Sequence, residues 1–200
     1  MKRNKMWEIG GFIAGGMLIV FGVVAIVLGV TGFTTTRDAI KNEGITFGTA
    51  DDPAVAKHAD QWAGEQVKTG DQARAFAQII HEHALEASGG LTYSQMGRFV
   101  SADDPENPAG TSDEAVALKD EEGNPVSNSA RNTWVTATAL STALNVSYMA
   151  ERLSVFGIVV GVALLLTGIG LVILAFAVFG RREQATEASR ATTPSAIVAG

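Results

Sequence analysis

The strongest constraint on this chain is a pair of long segments, residues 9–33 and 154–179, that contain no Asp, Glu, Lys, Arg or His. A helix rises about 1.5 Å per residue and the hydrocarbon core of a bilayer is about 30 Å thick, so roughly 20 apolar residues span it. Both segments are longer than that. The sequence therefore predicts an all-α integral membrane protein, with two transmembrane helices flanking a small helical domain.

The distribution of charge predicts the orientation of the chain. Basic residues outnumber acidic ones in the head, 1–8, and in the tail, 181–200, whereas residues 34–153 include eighteen acidic and nine basic side chains. Basic flanks of transmembrane helices stay on the cytoplasmic side. We therefore expect a plasma-membrane protein with both termini in the cytoplasm and an extracytoplasmic domain over 34–153. The acidic domain also argues against nucleic acid as a partner.

Local sequence signals predict three helices in the first part of this domain. Asp52 and Pro53 are typical of a helix start, and the predicted helix continues to about residue 68. A second helix is predicted over about 71–87, where apolar residues recur at helical spacing. Thr92 and Gln95 have the spacing of a capping box, which predicts a short third helix to about residue 99.

The other parts of the domain carry weaker signals. Residues 34–50 are predicted to form a loop, and residues 101–128, rich in acids and proline, a mobile acidic loop with one helical turn at 114–119. From Ser129 the helical pattern returns, and no Pro or Gly interrupts it before Gly157. We therefore expect the last outer helix to be continuous with the second transmembrane helix, 154–180, and the tail after it to be disordered.

Small residues one helical turn apart predict close helix packing in the spans. The pairs are Gly11 and Gly15, Ala25 and Gly29, and Gly157 and Gly161. In an antiparallel pair of helices, 25–29 and 157–161 lie at the same outer end, so we expect them to meet. Gly11 and Gly15 lie at the inner end and would then be free to pack on another protein. Glycine-rich spans also produce such pairs by chance.

The three histidines lie outside the spans and are the weak candidates for a metal site. His81 and His83 point to roughly opposite sides of a helix, whereas His83 and Glu86 share a face. With His58 from elsewhere in the fold, they would provide the two histidines and one carboxylate that suit non-haem iron. The alternative, which we favour, is that these are surface histidines among charged residues. We therefore expect no metal and no cofactor.

Other catalytic signatures do not occur in the sequence. The chain has no cysteine, which excludes thiolate metal sites and disulfides. It contains no Gly-rich phosphate loop, nucleophile elbow or His-Glu-x-x-His motif. The spans carry no ionisable group of the kind that an ion or proton pathway needs. We therefore expect no enzymatic activity and no small-molecule substrate.

One segment carries a resemblance to known proteins. Residues 76–98, FAQIIHEHALEASGGLTYSQMGR, are followed by a Thr-, Ala- and Ser-rich helix that enters the second span. This arrangement resembles a group of small two-span actinobacterial membrane proteins that often carry the label "aromatic ring-opening dioxygenase". The resemblance implies the same two-span layout. The residues themselves predict helices, and not the β-rich iron cavity of extradiol ring-cleaving enzymes.

Together these features favour a non-enzymatic membrane protein. Close-packing glycines and a small domain without disulfides predict an accessory or scaffold subunit that docks on a larger membrane or cell-envelope complex, or on copies of itself. One alternative is a metal-dependent enzyme with an outward-facing site built from His58, His81, His83 and a carboxylate. A further alternative is a membrane-anchored sensor whose outer domain binds a ligand.

Overall fold

The computed structural model describes the backbone of residues 2–191 and the side chains of residues 9–177. It has four α-helices: α1 (Lys2–Asn42), α2 (Pro53–Ala59), α3 (Gly70–Ala87) and α4 (Ser129–Ala191). Short 3₁₀ turns lie at Asp60–Trp62 and Tyr93–Gln95. No β-strand occurs between residues 2 and 191. The predicted all-α fold is confirmed for this part of the chain.

Two of these helices are long and apolar enough to cross a membrane, within Ile9–Asn42 and Ser129–Ala177. The chain divides into two compact units. Within the described residues, the apolar unit consists of 2–31 and 154–191, and the polar domain is Gly32–Leu153. α4 has no break between Ser129 and Ala191, whereas the sequence predicted a disordered tail from 181. Residues 192–200 of that predicted tail lie outside the described residues.

The two helices of the apolar unit pack through small residues spaced seven apart. On α1 these are Gly15, Gly22 and Gly29, and on α4 they are Ser154, Gly161 and Gly168. A Cβ added to Gly22 would lie 2.7 Å from the carbonyl oxygen of Gly161, and one added to Gly161 would lie 2.8 Å from that of Gly22. Gly15 and Gly168 approach each other in the same reciprocal way, at 2.9 and 2.7 Å. The backbones therefore touch at positions where only glycine fits.

This packing changes the role that the sequence predicted for the inner glycines. Gly15 is buried against Gly168, and a Cβ on Gly11 would be 3.8 Å from that of Ala175, so both glycines take part in packing within the chain. A Cβ on Gly157 would lie 3.9 Å from Ala25 and Gly29, the neighbours that the sequence predicted. Gly161, however, packs on residues 22 and 26. The prediction rested on pairs four residues apart, whereas the contacts repeat every seven.

The first part of the polar domain differs from the prediction in two places. Residues 34–42 continue α1 instead of forming a loop, because no Gly or Pro interrupts the chain before Gly44, whose φ is 66°. α2 ends at Ala59, well before residue 68. Residues 65–67 instead pair with 45–47, through bonds from Phe47 N to Glu65 O and from Val67 N to Ile45 O. This tertiary pairing outweighs local helix propensity.

The predicted third helix and acidic loop also take other forms. Thr92 and Gln95 do form a capping box, but it starts only a 3₁₀ turn. Residues 101–128 are connected by isolated antiparallel bridges, among them Ser101 to Ala117 and Lys119 to Pro125, and the predicted helical turn at 114–119 is absent. Backbone hydrogen bonds between distant segments therefore order this stretch, and residue composition does not reveal such bonds.

The buried carboxylate of Glu151 joins three parts of the polar domain. Glu151 is only 5% exposed. It accepts hydrogen bonds from the Arg37 guanidinium, Nε to Oε2 at 3.0 Å and Nη2 to Oε1 at 3.3 Å, and from the backbone N–H of Gly70 at 3.0 Å. Gly70 is the first residue of α3, where the helix dipole favours a negative charge. α1, α3 and α4 are thus held together at one carboxylate.

We expect Gly22→Leu to lower the thermal unfolding midpoint of the full-length protein in detergent. The added side chain would collide with the backbone of Gly161 and Leu165, and overpacking of this kind costs about 1–3 kcal/mol. Gly170→Leu is the matched control, because a Cβ there meets nothing within 4 Å. Equal melting of the two variants would contradict the packing described.

We expect Glu151→Ala to destabilise the polar domain far more than Arg152→Gln. Removing one member of a buried ion pair costs roughly 3–5 kcal/mol, and the low end applies here because Arg37 is partly exposed. Arg152 pairs with Asp71 on the surface, where such a pair contributes about 0.2–1 kcal/mol. Denaturant unfolding followed by the fluorescence of Trp62 and Trp134 measures the difference. Similar losses in both variants would show that Glu151 is not the anchor.

Candidate functional site

The three histidines all belong to the pair of helices α2 and α3, and the structure separates their side chains. His58 Nε2 lies 2.7 Å from Glu82 Oε2, whereas His83 Nε2 lies 3.2 Å from Asp52 Oδ2. His81 instead packs against the indole of Trp134 in an edge arrangement, with ring centroids 5.3 Å apart. Each histidine therefore has a different neighbour.

The arrangement brings no set of metal ligands together in the described part of the chain. Between residues 9 and 177, no group of three His, Asp or Glu side chains is placed to hold an ion. Glu86, the carboxylate that shares a helix face with His83, is exposed on α3. The histidines instead join helices: His58 of α2 reaches a carboxylate of α3, and His83 of α3 reaches Asp52 at the start of α2.

Asp52 and Glu82 are the acidic halves of these contacts. The ammonium of Lys57, 2.8 Å away, and then His58 lower the pKa of Glu82. For Asp52, burial raises the pKa, but hydrogen bonds from the Ala54 N–H and from His83 outweigh it, and the net pKa is lowered. Both carboxylates are thus held in the ionised form, as an ion pair or a helix cap requires.

A cavity of about 540 Å³ lies beside the first of these contacts. Its polar wall combines α2, α3 and α4, with the side chains of Lys57, His58, Gln78, His81, Glu82 and Asn145. The Ser141 hydroxyl also lines it, but donates to the carbonyl of Ala77 at 3.2 Å, and is therefore not directed at an imidazole. The groups are suited to hydrogen bonding and do not form a nucleophile–base pair.

A second cavity, of about 560 Å³, is more apolar. It lies where the end of α1, the 43–46 segment, α3 and α4 meet, and Ile40, Phe76, Ile80 and Leu144 supply much of its lining. Three of its polar groups are Glu43, Thr46 and Ser147. Neither cavity could be located from the sequence, because each depends on how α3 and α4 cross.

The feature that the sequence analysis missed is a bare apolar face of α4 within the polar domain. Ala137, Leu144 and Glu151, seven residues apart, are buried against the rest of the domain. Six exposed residues lie almost opposite them on the helix, and we call these the α4 stripe: Val135, Ala139, Thr142, Val146, Met149 and Leu153. Val146 is 57% exposed, Met149 66% and Leu153 67%. Their alternating spacing of four and three residues was the signal in the sequence.

Comparison with known proteins gives no identification. No protein-family model matches the chain, and neither a curated protein nor a solved structure matches it. The resemblance to two-span actinobacterial proteins therefore stays a prediction.

We expect Glu82→Gln to lower the unfolding midpoint at pH 7, with a loss that disappears on acidification. The pKa of Glu82 is lower in the folded state than in the unfolded state. Its contribution to the free energy of unfolding is therefore fully present above the unfolded pKa of about 4.3, and is lost as the pH falls through the folded pKa. Thermal unfolding between pH 3.5 and 7 measures this. Glu86→Gln, on the exposed surface of the same helix, is the control. A pH-independent loss in Glu82→Gln would refute the ion-pair role.

Proposed function

We propose that this chain is a non-enzymatic integral membrane protein, an accessory or scaffold subunit. It docks on a larger membrane or cell-envelope complex, or on copies of itself. Both termini lie in the cytoplasm, and the polar domain lies on the outer side of the plasma membrane. The excess of basic residues in the head and tail supports this orientation, as does the acidic composition of the domain.

The observation that carries the proposal is the α4 stripe. Large apolar side chains that stand in contiguous rows on a surface mark sites of interaction. The charged residues Glu151 and Arg152 lie between most of the stripe and the uncharged segment that begins at 154, which supports an aqueous setting for Val135–Met149. A domain in water leaves such a face bare only at a cost, which a protein partner removes by covering it.

The polar contacts of the domain support the same role. The carboxylates of Glu82 and Asp52 contact side chains of the neighbouring helix, and these contacts hold α2 against α3. The carboxylate of Glu151 similarly holds α3 against α4. These groups make the domain a fixed support for the exposed face of α4, as a docking subunit needs.

Native electrophoresis after extraction in a mild detergent tests the proposal. We expect the protein to migrate as an assembly larger than one chain, and we expect Met149→Glu to release the monomer, because the carboxylate would be buried without a partner. Val116→Glu is the control, since Val116 is exposed on the polar domain and does not belong to α4. A monomer under every gentle condition would contradict docking.

A further inference from the structure

We propose that the α4 stripe is one half of a parallel two-helix coiled coil, and that the other half is the same stripe of a second copy of this chain. This inference rests on the proposed function and names its partner. It places the contact between the polar domains of two copies, over Val135–Leu153 of each.

The spacing of the stripe is that of a coiled-coil seam. Successive members are four, three, four, three and four residues apart, so they occupy positions a and d of a seven-residue repeat. The a positions are Ala139, Val146 and Leu153, and the d positions are Val135, Thr142 and Met149. The buried Leu144 and Glu151 fall at position f, on the far side of the helix from the seam. α4 therefore has one apolar face that the domain covers and a second that it leaves uncovered.

Four polar side chains along this part of α4 bond to their own helix. The hydroxyls of Thr136, Thr142 and Ser147 each donate to the carbonyl four residues earlier, at 3.1, 2.7 and 3.1 Å. The amide of Asn145 donates to the carbonyl of Ser141 at 2.8 Å. Because the three hydroxyls already donate within α4, covering them with another helix would not leave them unpaired. Thr142 can then pack its methyl group at the seam.

The charge pattern favours a copy of the same face over a charged partner. From residue 135 to 151, positions a, d, e and g carry no Asp, Glu, Lys or Arg. The first charge beside the stripe is Arg152, and it is paired with Asp71 of its own chain. An acidic or basic partner would find no opposite charge here, whereas two copies of the stripe meet without like-charge repulsion. A face that pairs with itself is the usual basis of a twofold dimer.

The membrane determines the direction of pairing. α4 continues from the stripe into the second uncharged segment, and every copy in one bilayer enters it with the same end. Two such helices are therefore parallel, and equivalent a and d residues meet in register. The seam covers fewer than three repeats, about 28 Å of helix, and is too short to be stable between free peptides. Anchoring both copies in one membrane raises their effective concentration and offsets this weakness.

Disulfide formation between single cysteines in native membranes tests the inference, because the natural chain has no cysteine. Val146→Cys, Met149→Cys and Leu153→Cys place thiols at the seam. Leu140→Cys is the matched control, an exposed apolar position at b on the same helix. With a mild oxidant we expect about tenfold more covalent dimer at the three seam positions than at the control, since a disulfide needs Cα atoms within about 7 Å.

Native electrophoresis of detergent extracts of the same membranes distinguishes failure of self-pairing from failure of the proposed docking function. Cross-linking that peaks at residues 146, 149 and 153 supports the inference. Uniform or absent cross-linking while the protein migrates in a larger assembly overturns self-pairing, and leaves docking on another protein intact. Absent cross-linking together with a monomer overturns the inference and the proposed function alike.

Discussion

The exclusion of apolar side chains from water is the constraint on which the rest of this structure depends. The two uncharged segments cover little of their surface with each other, and large side chains such as Phe21, Leu28, Phe156 and Leu166 are more than half exposed. Both helices are long and apolar enough to cross a bilayer, which would cover this exposed apolar surface. The glycine contacts bring the two helix backbones close together. In a bilayer, whose lipid tails are as apolar as leucine, such close packing is what would hold the helices to each other.

Within the polar domain, a limited apolar core is supplemented by polar contacts. Many of its buried side chains are alanines, for example Ala54, Ala59, Ala73 and Ala77. Small side chains bury little apolar area, and the free energy gained is correspondingly small. The carboxylates of Glu151 and Glu82 therefore matter more here than they would in a domain with a large core. Glu151 connects α4 with α1 and α3, and Glu82 connects α3 with α2.

The sequence predicted the parts of the fold that depend on local signals. The uncharged segments, the limits of α3 and the start of α4 at Ser129 all follow from composition, capping and helical spacing. The prediction was wrong where contacts between distant segments determine the local structure. α2 ends earlier than predicted because residues 65–67 pair with 45–47. The sequence prediction also omitted Gly22 and Gly168. It considered only small residues four apart, whereas the packing positions recur every seven residues. The histidines could be named from the sequence, but their separate partners could not.

The central claim is that the polar domain and the termini lie on opposite sides of a bilayer. Labelling of single cysteines from one side of the membrane tests it most directly. In a chain without natural cysteine, Ser94→Cys places a single thiol on the exposed surface of the polar domain, and Asn4→Cys places one in the head. A maleimide reagent that does not cross membranes should label residue 94 in intact cells, and residue 4 only after the membrane is opened. Labelling of residue 4 but not residue 94 in intact cells, or equal labelling of both, would contradict the two-span account.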